Sequence, residues 1–528
     1  MRYNIMPATD SYFITTPIYY VNDVPHLGHA YTTIVCDSLA RFMRLDGKEV
    51  MFLTGTDEHG QKVEKSARSA GETPSDFTDR VSQRFRDLTA KLGISNDDFI
   101  RTTEQRHIKA CQAIWTALVK SGDIYLGSYA GWYSVRDEAF FAEGELINGE
   151  FGERVAPSGA SIEWVEEPSY FFRLSRWQQP LLDFYEKHPH FILPETRRNE
   201  VVSFVKGGLQ DLSVSRTSFR WGVPVPCDNN HIMYVWLDAL TNYLTATGYP
   251  EPLSVSFQRF WPATVHVVGK DILRFHAVYW PAFLMSAGIT PPERVFAHGW
   301  WTVEGQKMSK SLHNVVEPFD LVDKFGLDQV RYFLLREVPF GSDGNFSETA
   351  LIHRINSDLA NDLGNLAQRV FSMIHRNCEA ALPAPSTYID SDNALLGHAH
   401  KLLPQIRDSM EQQASHEALE KLWALVRAAN AYVDHQAPWS LKKTNPARMN
   451  TVLYVLAESL RHIAILIQPF MPTAAGKLLD QLAVPLEART FDSLGKNNSL
   501  TAGRIMPKPE GIFPRFVEGN VSGDSQTL

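Results

Sequence analysis

The sequence predicts an α/β fold: a doubly wound parallel sheet, interrupted by an inserted α+β module and followed by an all-α helical bundle. Three observations predict it. Strand and helix patterns alternate over the first hundred residues, short aromatic strands replace them over residues 121–221, and strand patterns largely stop after about residue 346. Such alternation is typical of a parallel sheet with helices on its faces.

The first elements follow from hydrophobic periodicity. Residues 11–16 are rich in β-formers, residues 28–44 carry apolar side chains at helical spacing, and residues 50–53 form a short apolar strand. The α/β pattern resumes at residues 233–237 and 265–268, and a helix is expected to begin near Asp271. We therefore expect one sheet whose two halves are separated by the insertion.

The helical bundle is predicted from four amphipathic segments, at residues 351–377, 397–412, 416–436 and 449–468. Each carries apolar residues at i, i+3, i+4 and i+7, and proline-bearing breaks separate them. From about residue 500 the chain is proline-rich with a polar end, which predicts an extended strap and a disordered tip.

Composition limits the class of protein. The length of 528 residues predicts roughly three domains, and 44% hydrophobic residues is ordinary for globular protein. No apolar run is long enough to predict a membrane span, and no secretory pattern opens the chain, so we expect a cytoplasmic protein.

The net charge is −9, but residues 351–480 hold 12 basic and 12 acidic residues. The acidic excess therefore lies outside the predicted bundle, and the net charge by itself does not exclude a nucleic-acid partner.

Two short motifs are candidates for phosphate binding. Residues 25–29 are Pro-His-Leu-Gly-His, at the predicted turn before the first long helix, where backbone N–H groups and the helix dipole attract anions. Residues 307–311 are Lys-Met-Ser-Lys-Ser, whose two ammonium groups suit a polyphosphate. Each motif alone has an alternative interpretation, as capping or surface histidines and as a solvated surface loop.

Together the two motifs resemble the signature motifs of class I aminoacyl-tRNA synthetases. Further blocks resemble the methionyl-tRNA synthetase family in order over essentially the full chain, at residues 15–22, 55–60, 221–226, 234–239, 269–272 and 436–439. The resemblance implies a Rossmann-like catalytic domain and a methionine:tRNA ligase. Such an enzyme makes methionyl-adenylate and pyrophosphate from L-methionine and ATP with Mg²⁺. It then transfers the methionyl group to the 3′-terminal ribose of tRNA(Met), initiator and elongator.

The resemblance also implies roles in ATP binding. His26 and His29 would act on the phosphates in the transition state, and Lys307 and Lys310 on the departing pyrophosphate; these four are the implied catalytic residues. Asp271 would bind the ribose, although a helix N-cap is an alternative and the two roles are compatible. The implied ATP-binding set is His26, Gly28, His29, Gly269, Asp271, Lys307, Ser309 and Lys310.

The implied methionine pocket is apolar and aromatic, which suits a polarisable thioether. It comprises Ile18, Tyr20, Trp236, Leu240, Tyr243, Phe275 and His276, with Asp57 pairing to the α-ammonium. From the residues alone, Trp236 and Tyr243 would be core aromatics. Asp57 is more distinctive, because an acid at the carboxyl end of a parallel strand faces the ligand crevice.

In the bundle, the resemblance implies that Asn365, Arg369 and Trp439 bind the CAU anticodon. Stacking aromatics and polar side chains are how proteins recognise loop bases. An alternative for Trp439 is an aromatic at a helix start that packs on the bundle.

The sequence departs from many relatives where a zinc knuckle would stand. Ser134 and Asp137 occupy the places of a Cys-x-x-Cys pair, so we expect no structural zinc and no metal ligands. The resemblance implies a monomer, since no appended dimerising domain follows the bundle.

The domain boundaries follow from these patterns. The predicted segments are a first catalytic half (1–120), the zinc-free inserted connective module (121–228), a second catalytic half (229–320), a stem-contact linker (321–350), the anticodon-binding bundle (351–500), and the strap with its tail (501–528). Two other functions stay open at this point. One is another nucleotidyl transferase of the same superfamily, and the other is a catalytically inactive tRNA-binding scaffold.

Overall fold

The structure is a computed structural model that describes residues 10–21, 24–137, 139–141, 143–149, 152–303, 305–308 and 314–517. It divides into two compact units. The first comprises residues 1–25 and 49–298, and the second comprises residues 26–48 and 299–528. The first long helix therefore belongs to the second unit, although in the sequence it interrupts the first.

Strands and helices alternate up to residue 120, as predicted. In order they are β1 (Ser11–Thr15), β2 (Tyr19–Tyr20), α1 (Leu27–Leu45), β3 (Glu49–Asp57), α2 (Gln61–Ala70), α3 (Pro74–Lys91), β4 (Asp98–Arg101) and α4 (Gln105–Lys120). The predicted strand at residues 50–53 is confirmed but extends to Asp57, which brings that side chain to the carboxyl end of the strand.

The inserted region is built from short strands and two helices, as its texture predicts. Its elements are β5 (Ile124–Ser134), β6 (Ala139–Phe141), β7 (Ile147–Asn148), β8 (Arg154–Val155), β9 (Glu163–Phe172), α5 (Gln178–Lys187), β10 (Ile192–Leu193), α6 (Glu195–Lys206), β11 (Leu212–Ser213), β12 (Ser215–Arg216), β13 (Pro224–Val225) and β14 (Asp228–Met233). An antiparallel sheet with the order β11-β9-β5-β6 forms its main layer.

The catalytic pattern resumes with α7 (Val235–Ala246), α8 (Val255–Phe260), β15 (Val265–Gly269), α9 (Trp280–Ser286) and β16 (Val295–His298). One expectation here needs correction, and another is confirmed with a different helix type. Most of the apolar run at residues 233–237 begins a helix rather than a strand, because a buried helix and a buried strand share the same short apolar pattern. The helix expected near Asp271 starts as a 3₁₀ turn at Lys270–Ile272 and continues through a π-helix at Phe275–Tyr279.

One parallel sheet joins the two predicted halves of the first unit, and β10 from the predicted insertion forms its edge. Its order is β10-β16-β15-β1-β3-β2, with β4 also paired to β3, and the recorded pairings are parallel. Strand β1 lies between β3 and β15, so the chain reverses its direction of winding there. In doubly wound sheets ligands bind at the carboxyl ends of strands near this reversal. The carboxyl end of β3 carries Asp57, and β15 ends at Gly269.

The second unit is mainly helical and confirms the predicted bundle. Its elements after β16 are β17 (Trp301–Val303), β18 (Gln306–Lys307), α10 (Pro318–Phe325), α11 (Leu327–Arg336), β19 (Gly344–Phe346), α12 (Glu348–Arg354), α13 (Asn365–Asn377), α14 (Asp390–His400), α15 (Leu402–Glu411), α16 (Ser415–Gln436), α17 (Pro438–Thr444), α18 (Pro446–Ile467) and α19 (Pro472–Gln481). A π-helix at Ile355–Gly364 separates α12 from α13. Helix α18 is long and apolar enough to cross a membrane, but 94% of its apolar window is buried, as expected of a bundle core.

A buried ion pair ties α1 to the bundle within the second unit. The Arg331 guanidinium on α11 lies 2.7 Å from the Asp37 carboxylate on α1, and both side chains are fully buried. Arg331 also donates to the carbonyls of Pro469 and Phe470, just after α18. The charges are thus paired and hydrogen-bonded, as burial of an ion pair requires.

Candidate functional site

The Asp57 carboxylate ends strand β3 in an almost dry environment. In the parallel pairing of β2 with β3, Tyr20 lies opposite Asp57. Asp57 is only 4% exposed. Burial, and then the nearby Asp238 and Glu58 carboxylates, raise the pKa of Asp57 well above its usual value, while a hydrogen bond from the His59 backbone opposes them. Its Oδ1 atom is buried and has no partner in the described part of the chain. This oxygen is suited to receive a cationic ligand group.

The loop that follows Asp57 is held by several hydrogen bonds. The Glu58 carboxylate accepts from Arg101 at 2.7 and 2.9 Å and from the Thr103 hydroxyl at 2.6 Å. The Glu58 carbonyl accepts from the Trp221 indole at 2.6 Å. Because Glu58 is satisfied on both its side chain and its backbone, the loop presents Asp57 from a fixed position.

The aromatic residues predicted for the methionine pocket lie together in the first unit. Trp236 on α7 stacks on Phe275 with ring centroids 3.7 Å apart, and His276 follows Phe275 in the π-helix. Ile18, Tyr20, Trp236 and Phe275 pack, partly buried, against the core that contains Leu240 and Tyr243. The structure therefore places these apolar residues of the predicted set in or against one hydrophobic core.

The protonation state of His276 follows from its partners. Its Nδ1 lies 3.0 Å from the Ile272 carbonyl, which only accepts, so Nδ1 carries the hydrogen. Its Nε2 lies 2.8 Å from the Tyr243 hydroxyl. Burial lowers the pKa of His276 to about 4, partly offset by the Ile272 carbonyl. The imidazole is therefore neutral near pH 7, and its Nε2 accepts from Tyr243.

Gly269 and Asp271 lie together after strand β15. A Cβ atom on Gly269 would stand 2.6 Å from an oxygen of the Asp271 carboxylate, so a larger residue would make that side chain move. The 3₁₀ turn here has Gly269 as its N-cap residue. The N-cap interpretation of Asp271 is therefore wrong, because Asp271 lies inside the first turn, two residues after the N-cap.

His26 and His29 form a reciprocal cap on the first turn of α1, in the second unit. The Gly28 backbone N–H donates to His26 Nδ1 at 3.0 Å, and the His26 backbone N–H donates to His29 Nδ1 at 3.1 Å. Because both Nδ1 atoms accept, each neutral ring carries its hydrogen on Nε2. Burial and then His26 lower the pKa of His29 well below its usual value. The capping interpretation is thus confirmed, and the capping itself orients two Nε2–H donors.

Gly28 is required by this cap. A Cβ atom there would lie 2.9 Å from Cε1 and 3.1 Å from Nδ1 of the His26 ring. The glycine leaves room for His26, a reason that the resemblance alone did not supply.

The Lys-Met-Ser-Lys-Ser loop begins at a β-hairpin in the same unit. Strand β18 ends at Lys307 and pairs antiparallel with β17, and Gly305 between them has φ +75°. The positive φ makes glycine the favoured residue at this turn. The predicted residues Ser309 and Lys310 lie outside the described residues.

The three predicted anticodon residues lie on α13 and α17. Asn365 is exposed at the start of α13, directly after the π-helix, and Trp439 is 49% exposed on α17. The Arg369 guanidinium lies 5.4 Å from the Trp439 ring centre and donates to Asp434 at 2.6 Å. Exposure of Trp439 contradicts the alternative that it packs into the bundle. Ala437, with φ 45°, reverses the chain between α16 and α17 and so places Trp439 beside Arg369.

Sequence reasoning missed a buried polar cluster behind Asp57. The Asp238 carboxylate on α7 bonds to His59 Nδ1 and to His107 Nε2, each at 2.7 Å. Both His59 and Asp238 lie inside sequence blocks that carried the resemblance, at residues 55–60 and 234–239. The signal was therefore present, but no pattern in the chain pairs residues 179 positions apart.

A doubly wound sheet with a buried carboxylate at a strand end, a His-Leu-Gly-His helix cap, a lysine-bearing hairpin and a helical bundle are the features of a class I aminoacyl-tRNA synthetase. Residues 12–371 match the family described as tRNA synthetases class I (M). Residues 382–525 match the anticodon binding domain of methionyl tRNA ligase. The chain belongs to the methionyl-tRNA synthetase family.

Individual relatives agree with this assignment. The chain is 56% identical to the methionine–tRNA ligase of Brucella suis biovar 1 (strain 1330) and 57% identical to that of Mesorhizobium japonicum, covering 97% of this chain and 99% of each relative. It is also similar to Mycobacterium tuberculosis methionyl-tRNA synthetase in complex with methionyl-adenylate. That structure superposes with a TM-score of 0.94 at 52% identity, over 96% of this chain and 100% of the other.

Proposed function

We propose that this chain is a methionine:tRNA ligase that first joins methionine to AMP and then to tRNA(Met). In the first step a carboxylate oxygen of methionine attacks the α-phosphorus of ATP, and the bond to the β-phosphate oxygen breaks to release pyrophosphate. The methionine carboxylate is already ionised near pH 7, so no general base is needed. Positioning of the two substrates, and stabilisation of the negative charge on the phosphates, therefore supply the rate enhancement.

The Asp57 carboxylate is the observation that carries this proposal. Its buried Oδ1, which has no hydrogen-bond partner among the described residues, suits an α-ammonium group, and Tyr20 opposite Asp57 packs on the same hydrophobic core as Trp236 and Phe275. Trp236 and Phe275 would pack against the side chain, and the Tyr243 hydroxyl would approach the sulfur while it donates to His276. A pocket of this kind separates ligands that differ by one methylene by only ~1 to 3 kcal/mol, so homocysteine is the expected competitor.

His26 and His29 would donate their Nε2–H groups to phosphate oxygens as negative charge develops there. Their orientation by the helix cap supports this role, because the donors need not reorganise during the reaction. Lys307 and Lys310, with Ser309, would hold the departing pyrophosphate. Gly28 would lie under the adenine, and Asp271 beside Gly269 would accept from the ribose hydroxyls.

The donors proposed for the triphosphate are imidazole and ammonium groups, which suit phosphate oxygens. Mg²⁺ prefers oxygen ligands, so it would be held mainly by the triphosphate itself. Its charge would offset that of the phosphates. We assign no structural zinc to this chain, in keeping with Ser134 and Asp137 in place of a cysteine pair.

In the second step a hydroxyl of the 3′-terminal ribose would attack the methionyl carbonyl, and AMP would leave. Asn365, Arg369 and Trp439 would select tRNA(Met), initiator and elongator, through its CAU anticodon. The exposure of Asn365 and Trp439, with the partly exposed Arg369 beside the Trp439 ring, supports this assignment. We further propose a cytoplasmic monomer with the domain boundaries set out above.

Methionine-dependent exchange of label between pyrophosphate and ATP tests the first step, with leucine in place of methionine as the control. We expect exchange with methionine and charging of tRNA(Met). An inactive scaffold would bind tRNA without exchange. A different nucleotidyl transferase would exchange with another acid and charge no tRNA.

A further inference from the structure

Behind Asp57 lies a buried network that the proposed reaction does not use. The Asp238 carboxylate is flanked by His59 from the loop after β3 and by His107 from α4. The Cys111 thiol, also on α4, lies 3.6 Å from Asp238 Oδ1. Asp238 and His107 have no exposed side-chain surface, and His59 retains only 6%.

The residue types His107, Cys111 and Asp238 are ones that bind metals, and their ligand atoms lie within 4.8 Å of one another. Their geometry fits a hydrogen-bond network better. Each Asp238 oxygen is 2.7 Å from an imidazole nitrogen, the distance of a charge-assisted hydrogen bond. Burial and then Asp238 raise the pKa of Cys111, which keeps the thiol protonated.

The two histidines act as donors to an ionised Asp238. Burial opposes ionisation, but His59 and His107 lower the pKa of Asp238 far below its usual value. His59 Nδ1 therefore carries the hydrogen that it donates to Asp238. This bond fixes the orientation of the His59 ring, which in turn restrains the backbone of its residue.

The backbone of His59 reaches Asp57 directly. Its N–H donates to the Asp57 carboxylate, while Oδ1 of that carboxylate remains without a hydrogen-bond partner among the described residues. One side of Asp57 is thus held by the protein, and one oxygen is left for a ligand. The carbonyl of His59 also accepts from Tyr20 at 3.4 Å, a long contact to a residue that packs on the same hydrophobic core as Trp236 and Phe275.

We propose that Asp238 and His59 are positioning residues, which together hold the Asp57 carboxylate in the orientation that binds the α-ammonium of methionine. The inference rests on the proposed role of Asp57. His107, on α4, binds the same Asp238 carboxylate through its ring. Among the described residues, its backbone makes no recorded hydrogen bond to Asp57. His107 therefore provides a matched control.

The test compares His59→Ala and His107→Ala in the full-length protein, by the exchange reaction and by thermal unfolding. Both variants lose one buried hydrogen bond to Asp238, so both should lower the melting temperature. We expect His59→Ala to raise the KM for methionine at least tenfold, with the KM for ATP within about twofold of the parent value. We expect His107→Ala to change the methionine KM less than threefold.

His59→Asn separates positioning from packing, because the asparagine amide reaches roughly the place of Nδ1. His59→Asn should therefore bring the methionine KM most of the way back from the raised value of His59→Ala to the parent value. Equal effects of His59→Ala and His107→Ala, or no rescue by asparagine, would overturn the proposal. If the histidine variants fail to fold, Asp238→Asn supplies the test: unchanged methionine KM there would equally overturn it.

A pH profile adds a second readout. The titratable groups around Asp57 are Glu58 and His59 from its own loop, Cys111 from α4 and Asp238 from α7, and Glu58 is paired with Arg101. His59→Ala frees the backbone N–H whose bond to the Asp57 carboxylate lowers the pKa of that carboxyl, so the acidic midpoint of kcat/KM for methionine should move to higher pH. An unmoved midpoint would contradict the proposal. If Asp57→Asn leaves the methionine KM unchanged, the proposed function of Asp57 has failed instead.

Discussion

A buried carboxylate oxygen without a partner is costly, and within the described part of the chain Asp57 has such an oxygen. Its pKa in the folded protein is raised, first by burial and then by Asp238 and Glu58. The folded state therefore binds the proton more tightly than the unfolded chain does. Stability must fall as pH rises from the unfolded pKa through the folded one, and the full cost is present above the folded pKa.

Asp57→Asn should therefore stabilise the protein while it impairs function. At alkaline pH, above the raised folded pKa, we expect the free energy of unfolding to rise by about 1 to 3 kcal/mol, since an ionised buried group is removed. The gain should vanish below about pH 3, well under the unfolded pKa of about 3.9, where the parent carboxyl is protonated in both states. Urea denaturation across this pH range measures this, and a loss of stability at alkaline pH would contradict it. Affinity for methionine should fall in parallel.

Trp439→Ala should separate anticodon recognition from amino-acid activation. Loss of a stacking platform costs about 1 to 3 kcal/mol per base, so kcat/KM for tRNA should fall roughly 5-fold to 150-fold. Pyrophosphate exchange should stay near the parent rate. Trp164→Ala, at another exposed tryptophan (55% against 49%), is the control and should leave charging intact. A parallel loss of exchange would make Trp439 a structural residue.

Residue identities in the motifs could be predicted from the sequence, but their partners could not. His26 and His29 were expected to act on phosphates, yet only the cap geometry shows which nitrogen of each ring carries the hydrogen. The link from Asp238 to His59 spans 179 residues, and no local periodicity encodes such a contact.

At the scale of elements, a buried ion pair holds α1 to the bundle in addition to apolar packing. Two arginines share its Asp37 carboxylate: Arg331 is fully buried, and Arg41 is 26% exposed. Burial should decide how much each arginine contributes to stability. Water screens the partly exposed Arg41–Asp37 pair but not the buried Arg331–Asp37 pair.

Arg331→Met should destabilise the protein by about 3 to 5 kcal/mol, because Asp37 would then keep only its partly exposed partner. Arg41→Met removes a partner of the same carboxylate and should cost less than about 1 kcal/mol. Chemical denaturation of the two variants makes the comparison. Similar losses in both would show that the burial of Arg331 has no energetic consequence.

Element boundaries were predictable where periodicity was strong and not where the helix type changed. Helix α16 closely follows its predicted range, since its apolar stripe is continuous. The π-helices at Phe275–Tyr279 and Ile355–Gly364 were not foreseen, because a wider helix has nearly the same apolar spacing over so few residues. Both lie at predicted sites, since they carry Phe275 and His276 and directly precede Asn365.

At the scale of the whole molecule, net charge hides a local distribution. The chain carries −9 overall while residues 351–480 are neutral, and Lys442 and Lys443 are exposed in the last turn of α17, close in sequence to Trp439. RNA contacts made by such lysines release counterions and so weaken with salt.

Binding of tRNA should therefore weaken as salt rises, whereas exchange with methionine should respond far less. The double substitution Lys442→Gln with Lys443→Gln removes two such contacts. Each contact with a single strand contributes ~0.7 to the slope of log affinity against log salt, so that slope should become shallower by about 1.4. Lys187→Gln with Lys206→Gln, in the inserted module, is the control and should leave the slope unchanged. An unaltered slope in the first pair would place the RNA footprint elsewhere.

Helix α1 has a further consequence for how this protein can be divided. The second compact unit needs residues 26–48, which the chain contributes before the whole of residues 49–298. A C-terminal fragment starting at residue 299 would lack Asp37 and would expose Phe491, whose ring centre lies 5.0 Å from that of Phe42. Such a fragment would be an incomplete fold with a buried arginine left without its carboxylate, and separate expression of the bundle requires that α1 be supplied as a peptide or fused by permutation.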